Sequence, residues 1–185
     1  MKLKENQVQL GHGGGGIMQE ELIQFLTHSI QHRKIGTGLG LDAFDDGAAI
    51  PWDYEASECV VTADGHTINP LFFPGGDLGK LSICGTVNDL IMMGAQPLAI
   101  TSTYIIEEGF KIKTLGKIAD SFNKFAAQSN VAILAGDTKV MPSGSLNEMI
   151  ISTTGIGVRP KARQINDNNC HPGAKIDRKS TRLNS

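Results

Sequence analysis

Residues 72–95, FFPGGDLGKLSICGTVNDLIMMGA, constrain the fold of this chain more than any other stretch. Two aromatic residues lead into a turn at Pro74-Gly75-Gly76, and a helix follows. Asp77 stands at the mouth of that helix, where a carboxylate accepts from the first free backbone N–H groups. Ile83, Val87, Leu90 and Ile91 recur at helical spacing and predict one buried face. Lys80, Thr86, Asn88 and Asp89 interrupt an otherwise small, apolar helix. Gly85 and Gly94 each weaken it by roughly 1 kcal/mol relative to Ala. A helix written for stability alone would avoid these choices, and such conflict between local rules marks a functional element.

The flanking pattern predicts an α+β chain. Val8 and Leu10 suggest a short strand before the glycine run Gly11–Gly16, and residues 17 to about 32 read as an amphipathic helix with Met18, Leu22, Phe25 and Leu26 inward. Short strands are expected over residues 48–50 and 58–63, the latter ending in Asp64-Gly65-His66. After the central helix, residues 98–106 read as a strand, 113–128 as a helix and 131–135 as a buried strand delivering Gly136-Asp137-Thr138-Lys139. A turn at 142–147 and a strand at 149–158 complete the order β-β-α-β-α-β-β. The architecture expected is a two-layer sandwich, a mixed sheet with helices on one face. Residues 1–160 carry this pattern. Residues 161–185 do not, and their polar, basic end reads as a tail foreign to the fold.

Composition narrows the function classes. At 185 residues the chain can bury one ordinary core, and a net charge of -2 gives no footprint for nucleic acid or an anionic membrane. No apolar run approaches the ~20 residues of a membrane helix, and the N-terminus has no charged-then-apolar leader pattern. Cys59, Cys84 and Cys170 form no CxxC pair and leave an odd thiol, which points to a reducing compartment. A cytoplasmic location is expected.

The chemistry lies in glycine and carboxylates. Gly11–Gly16 formally satisfies GxGxxG, but the preceding strand is weak and the acid expected ~20 residues later is missing. A run that opens a patterned helix favours a phosphate cradle over a hinge. Asp45, Asp46, Asp64, Asp89 and Asp137 each fall at a predicted element end or turn. Any one alone reads as a cap or turn residue. Together with Asn88 they supply hard oxygen ligands that suit Mg²⁺ bridging nucleotide phosphates. Lys80 and Lys139, each near an Asp and a Gly, are placed to neutralise phosphate charge. There is no Walker A loop, since Pro74 stands where its first Gly should be and Leu81 follows Lys80. His28 and His32 have the spacing of a metal pair on a helix, yet share a polar face and read as solvated. His66 reads as a loop histidine and Cys84 as a small buried residue.

GHGGGG at 11–16, DDGAAI at 45–50, TADGHTINPLFFPGGDLGKLSICGTVNDLIMMGA at 62–95 and AGDTKV at 135–140 together resemble the HypE family. These are hydrogenase maturation proteins of the aminoimidazole ribonucleotide synthetase-like (PurM-like) ATP-binding superfamily, and the likeness runs collinearly over about residues 7–160. The resemblance implies a PurM-like N-terminal domain that forms a homodimer through its sheet, with ATP beside the interface. It implies ATP-dependent dehydration of a carboxamide on a C-terminal cysteine to a thiocyanate, the source of cyanide for the iron of [NiFe] hydrogenase. Partners implied are a carbamoyl transferase and an iron-scaffold complex. By motif position Asp46, Asp64, Asp89 and Asp137 would hold Mg²⁺–ATP. Asn88 and Thr138 would contact it, and Gly13, Gly14, Gly15 and Gly16 would close over the phosphates. Lys80 and Lys139 are added as catalytic candidates.

The family also implies a second α/β domain and a terminal acceptor cysteine. Cys170, in Asn168-Asn169-Cys170-His171-Pro172, does not match that acceptor, so a first domain unable to turn over in cis is expected. Thiamine-monophosphate kinase is the runner-up, and selenophosphate synthetase is disfavoured because no reactive Cys-Gly segment precedes the glycine run. A non-catalytic dimerisation module is the alternative from another class.

Overall fold

The computed structural model describes residues 3, 6–13, 16–37, 41–43, 56–162, 165 and 171–173. Strand β1 (Ser57–His66), the two-residue strands β2 (Phe72–Phe73) and β3 (Gly76–Asp77), β4 (Gln96–Glu107), β5 (Ala132–Met141) and β6 (Met149–Pro160) alternate with helices α1 (Gly16–Thr27), α2 (Leu78–Met92) and α3 (Ile112–Gln128). The main sheet has the order β1-β6-β4-β5. β6 runs antiparallel to both β1 and β4, and β4 runs parallel to β5, the pair joined through α3. This is the mixed-sheet α+β architecture expected.

Alternation explains the layering. Met149, Ile151, Thr153, Gly155 and Gly157 of β6 are buried, while the residues between them are half-buried. On β4, Ile100, Ser102, Tyr104 and Ile106 do the same. This face carries α2 and α3, and the core between them is built on Leu78, Ile83, Leu115, Ile118 and Phe122. Burying large apolar side chains of this kind contributes about 1.5–3 kcal/mol each. On the opposite face Val61 is exposed.

Helix α2 obeys its local signals at both ends. Asp77 accepts from the Lys80 N–H at 2.9 Å, as a capping carboxylate should. At the far end Gly94, with φ 75°, bonds to Ile91 O, and Ala95 N bonds to Leu90 O. That is a left-handed C-terminal closure, so Gly94 ends the helix rather than weakening it. Ile91 departs from expectation: it is exposed, because the buried face is set by Ile83, Val87 and Leu90. Cys84 is half-buried, not sequestered.

Three boundaries also differ. Helix α1 stops at Thr27, where the Arg33 Nη1 group donates to the Thr27 carbonyl at 2.9 Å. His28 and His32 therefore lie beyond the helix and are not a same-face pair. β1 continues through Asp64-Gly65-His66, and β5 continues through Gly136-Asp137-Thr138-Lys139 to Met141. Pairing with β6 and β4 over that whole length overrides the turn-like composition. The expected strand at Val8–Leu10 is reduced to one bridge, Gln7 with Lys111, beside a 3-10 turn at Leu10–Gly13. The expected strand at 48–50, with Asp45, Asp46, Gly14, Gly15 and Cys170, lies outside the described residues.

Candidate functional site

Two of the acids, Asp64 and Asp89, lie on neighbouring elements where α2 packs on β1 and β6. Thr62, Asp64 and His66 alternate onto the helix-facing side of β1, with Asp64 directly opposite Thr153 of β6. Thr86 and Asp89 lie one turn apart on α2. Thr86 Oγ1 donates to Asp64 Oδ2 at 3.1 Å, and Thr62 Oγ1 donates to Asp89 Oδ2 at 3.3 Å. These two contacts run side by side, separated by one same-face step of the strand, about 7 Å. Asp64 is half-buried, and Asp89 is exposed with Asn88 beside it.

His66 lies behind this pair in the sheet, not in a loop. It is buried, and its Nε2 lies 3.1 Å from Thr153 Oγ1. Burial pushes its pKa down, against the opposing pull of the Asp64 and Asp89 carboxylates. The donor set at the front is all oxygen: two carboxylates and a threonine hydroxyl. Mg²⁺ keeps several waters and is commonly held by one or two carboxylates together with substrate phosphates. The Asp64–Asp89 pair fits that requirement. Among the described residues no group of three or more His, Cys, Asp and Glu gathers closely enough to form an all-protein metal cage.

Asp137, Thr138, Lys139 and Gly13 form a second group at the opposite edge. Asp137 lies on β5, opposite Thr103, on the alternation that faces away from the helices. Its Oδ1 accepts from the Thr138 N–H at 2.8 Å, and its Oδ2 pairs with Lys139 Nζ at 3.3 Å. Gly13 comes down on the same strand: a Cβ there would stand 2.6 Å from Val140 N, so only glycine permits this approach. Gly16 opens α1. β1 and β5 are three strand intervals apart, about 14 Å, so Asp137 does not join Asp64 and Asp89 within one chain.

Lys80 is held elsewhere. Its ammonium donates to the Gly75 carbonyl at 2.8 Å and lies 4.9 Å from the centre of the Phe125 ring. It lies nine positions before Asp89, about 13.5 Å along the helix axis. Burial pushes the nearby Cys84 thiol up, partly offset by Lys80, so it is no ready thiolate. Sequence reasoning passed over Thr62 and Thr153. The available signal for Thr153 was a hydroxyl at a buried step of β6, after Met149 and Ile151.

Comparison with known proteins supplies a frame for this geometry. The sequence family "AIR synthase related protein, N-terminal domain" matches residues 44–159. A putative hydrogenase expression/formation protein of Methanocaldococcus jannaschii is 45% identical over 166 residues, 89% of this chain and 48% of its own length. Carbamoyl dehydratase HypE of Bradyrhizobium diazoefficiens is 37% identical over 95% of this chain and 49% of its own length. The chain thus spans about half the length of the curated relatives it matches. The crystal structure of HypE in complex with ATP superposes with TM-score 0.72 at 37% identity, covering 80% of this chain and 42% of the other. A chain of the crystal structure of the HypE–HypF complex superposes at 0.54 with 41% identity, covering 77% and 42%. A thiamine-monophosphate kinase of Stenotrophomonas maltophilia K279a superposes at 0.52 with 22% identity, covering 78% and 42%, a likeness that shows the fold alone.

Proposed function

The chain belongs to the AIR synthase related protein family through its N-terminal domain, and from that premise we propose that it is the Mg²⁺–ATP-binding half of a HypE-type carbamoyl dehydratase. The observation that carries the proposal is the placement of the Asp64 and Asp89 carboxylates on neighbouring elements, each held by a threonine hydroxyl, in a chain collinear with HypE over 95% of its residues. The similarity to a HypE structure solved with ATP supports the nucleotide.

In this reading Asp64 and Asp89 hold the magnesium ion, with Asn88 at the phosphates. Asp137, Thr138 and Lys139, with the Gly13–Gly16 backbone, form the second half of the nucleotide site, and Asp46 joins the acids. Magnesium supplies charge neutralisation at the phosphates. Phosphoryl transfer needs mostly positioning and electrostatic stabilisation, which carboxylates, lysines and glycine N–H groups provide. The amide oxygen of a cysteine-borne carboxamide attacks the γ-phosphorus of ATP and ADP leaves; loss of the two N–H protons with cleavage of the C–O bond then expels phosphate and leaves a thiocyanate, the cyanide source for [NiFe] hydrogenase. Residues 1–160 form the nucleotide-binding unit, and Lys80 remains a candidate at its margin.

The separation of Asp64 from Asp137 favours a homodimer, assembled through the sheet face that bears Val61 and Thr103, in which the two groups serve one nucleotide cleft. The HypE–HypF complex supports a maturation partner, which we assign as the carbamoyl transferase, with an iron-scaffold complex downstream. No helix among the described residues is long and apolar enough to cross a membrane, and we place the protein in the cytoplasm. Equilibrium binding of ATP with Mg²⁺ and with excess EDTA separates this reading from a non-catalytic dimerisation module. Binding that requires the metal supports the enzyme-derived site, and no binding in either condition favours the module.

A further inference from the structure

We propose that Thr86, Thr153 and His66 form a proton-ordered chain that fixes the Asp64 carboxylate, making them positioning residues for the Mg²⁺ site; this rests on the nucleotide reading above. Thr86 Oγ1 lies 3.1 Å from Asp64 Oδ2 and 2.6 Å from Thr153 Oγ1. Thr153 Oγ1 in turn lies 3.1 Å from His66 Nε2. All three side chains are buried.

Each hydroxyl carries one proton, and an ionised carboxylate only accepts. One order gives Asp64 a donor and leaves every link satisfied: His66 Nε2–H donates to Thr153 Oγ1, Thr153 to Thr86 Oγ1, and Thr86 to Asp64. In the other order Thr86 gives its proton to the Ser82 carbonyl, 3.0 Å away, and the carboxylate loses this donor. Bonds aligned head to tail polarise one another, so the order ending on the charge is the stronger one.

The neighbouring backbone is cut to admit this chain. A Cβ at Gly85 would stand 3.0 Å from His66 Cε1, and one at Gly155 would stand 2.6 Å from Thr86 Cγ2. An apolar core would be served better by Val at 153, continuing Met149 and Ile151, because buried hydroxyls cost stability unless fully paired. The chain instead locks one carboxylate, whereas exposed Asp89 is held, among the described residues, by the Thr62 contact. A fixed ligand beside an adaptable one suits a metal that must accept and release phosphate oxygens.

Ring-nitrogen NMR shifts of His66 in the 185-residue chain read the tautomer, and Mg²⁺ titrations of ATP binding read the role. The expected tautomer is Nε2–H. Thr86→Val should raise the Mg²⁺ concentration at half-saturation by roughly 10- to 100-fold, the usual effect of removing a group that orients a ligand. ATP affinity at saturating Mg²⁺ should change far less, and Thr86→Ser should restore the metal response, a split that a merely structural defect would not give. Thr153→Val should act in the same direction and stands in if Thr86→Val does not fold. An Nδ1–H tautomer, or an unchanged Mg²⁺ response in the folded valine variants, overturns the chain. A wild-type protein that binds no ATP at any Mg²⁺ concentration overturns the nucleotide reading, and the positioning role with it.

Discussion

Gly79 of α2 lies against the Ile118 carbonyl of α3, so closely that a Cβ at 79 would stand 2.2 Å from Ile118 O and 2.8 Å from Phe122 N. Both neighbours are backbone and cannot move aside without displacing α3. Gly79→Ala should therefore destabilise the fold despite its better helix propensity, by about 1–3 kcal/mol or more, the cost of forcing atoms into a packed core. Urea unfolding checks this, and a variant as stable as the wild type would show that the α2–α3 crossing is looser than described.

The cap at the start of α2 gives a smaller effect. Asp77→Ala removes the acceptor for Lys80 N–H and should cost about 1 kcal/mol, while Asp77→Asn or Asp77→Ser should retain most of it. Thermal unfolding of the three variants should rank them in that order.

These local features were legible in the sequence because capping and turn chemistry act between near neighbours: Asp77 with Lys80, and Pro74-Gly75 between Phe73 and Gly76. The reach of β1 and β5 was not legible. Gly136-Asp137-Thr138 has turn composition, and only pairing with Ser102, Thr103 and Tyr104 of β4, over thirty residues away, holds it extended. The site divided in the same way. Asp64 and Asp89 stood out as acids near element ends, but Thr153 joins them only through strand pairing with β1. The helix expected to run to about residue 32 was too long, because the spacing of His28 and His32 is helical while α1 ends at Thr27.

Tyr104 gives the clearest pH dependence. Burial against Phe122, with the ring centres 5.8 Å apart, pushes its phenol far above the ordinary value near 10. A folded-state pKa above the unfolded one leaves stability intact below about pH 10 and removes it as the pH rises, by up to roughly 1.4 kcal/mol per pH unit. Unfolding free energies between pH 8 and 11 should fall more steeply for the wild type than for Tyr104→Phe. Parallel curves would place the phenol in contact with water in the native state.

The central claim is that Asp64 and Asp89 hold the magnesium of a bound nucleotide. Calorimetric titration of ATP in excess Mg²⁺ into the wild type, Asp64→Asn and Asp89→Asn tests it most directly. Each substitution keeps the shape and removes one charge, so each should weaken binding at least about tenfold, equivalent to ~1.4 kcal/mol. Wild-type affinity in both variants, with the fold intact by circular dichroism, would contradict the claim.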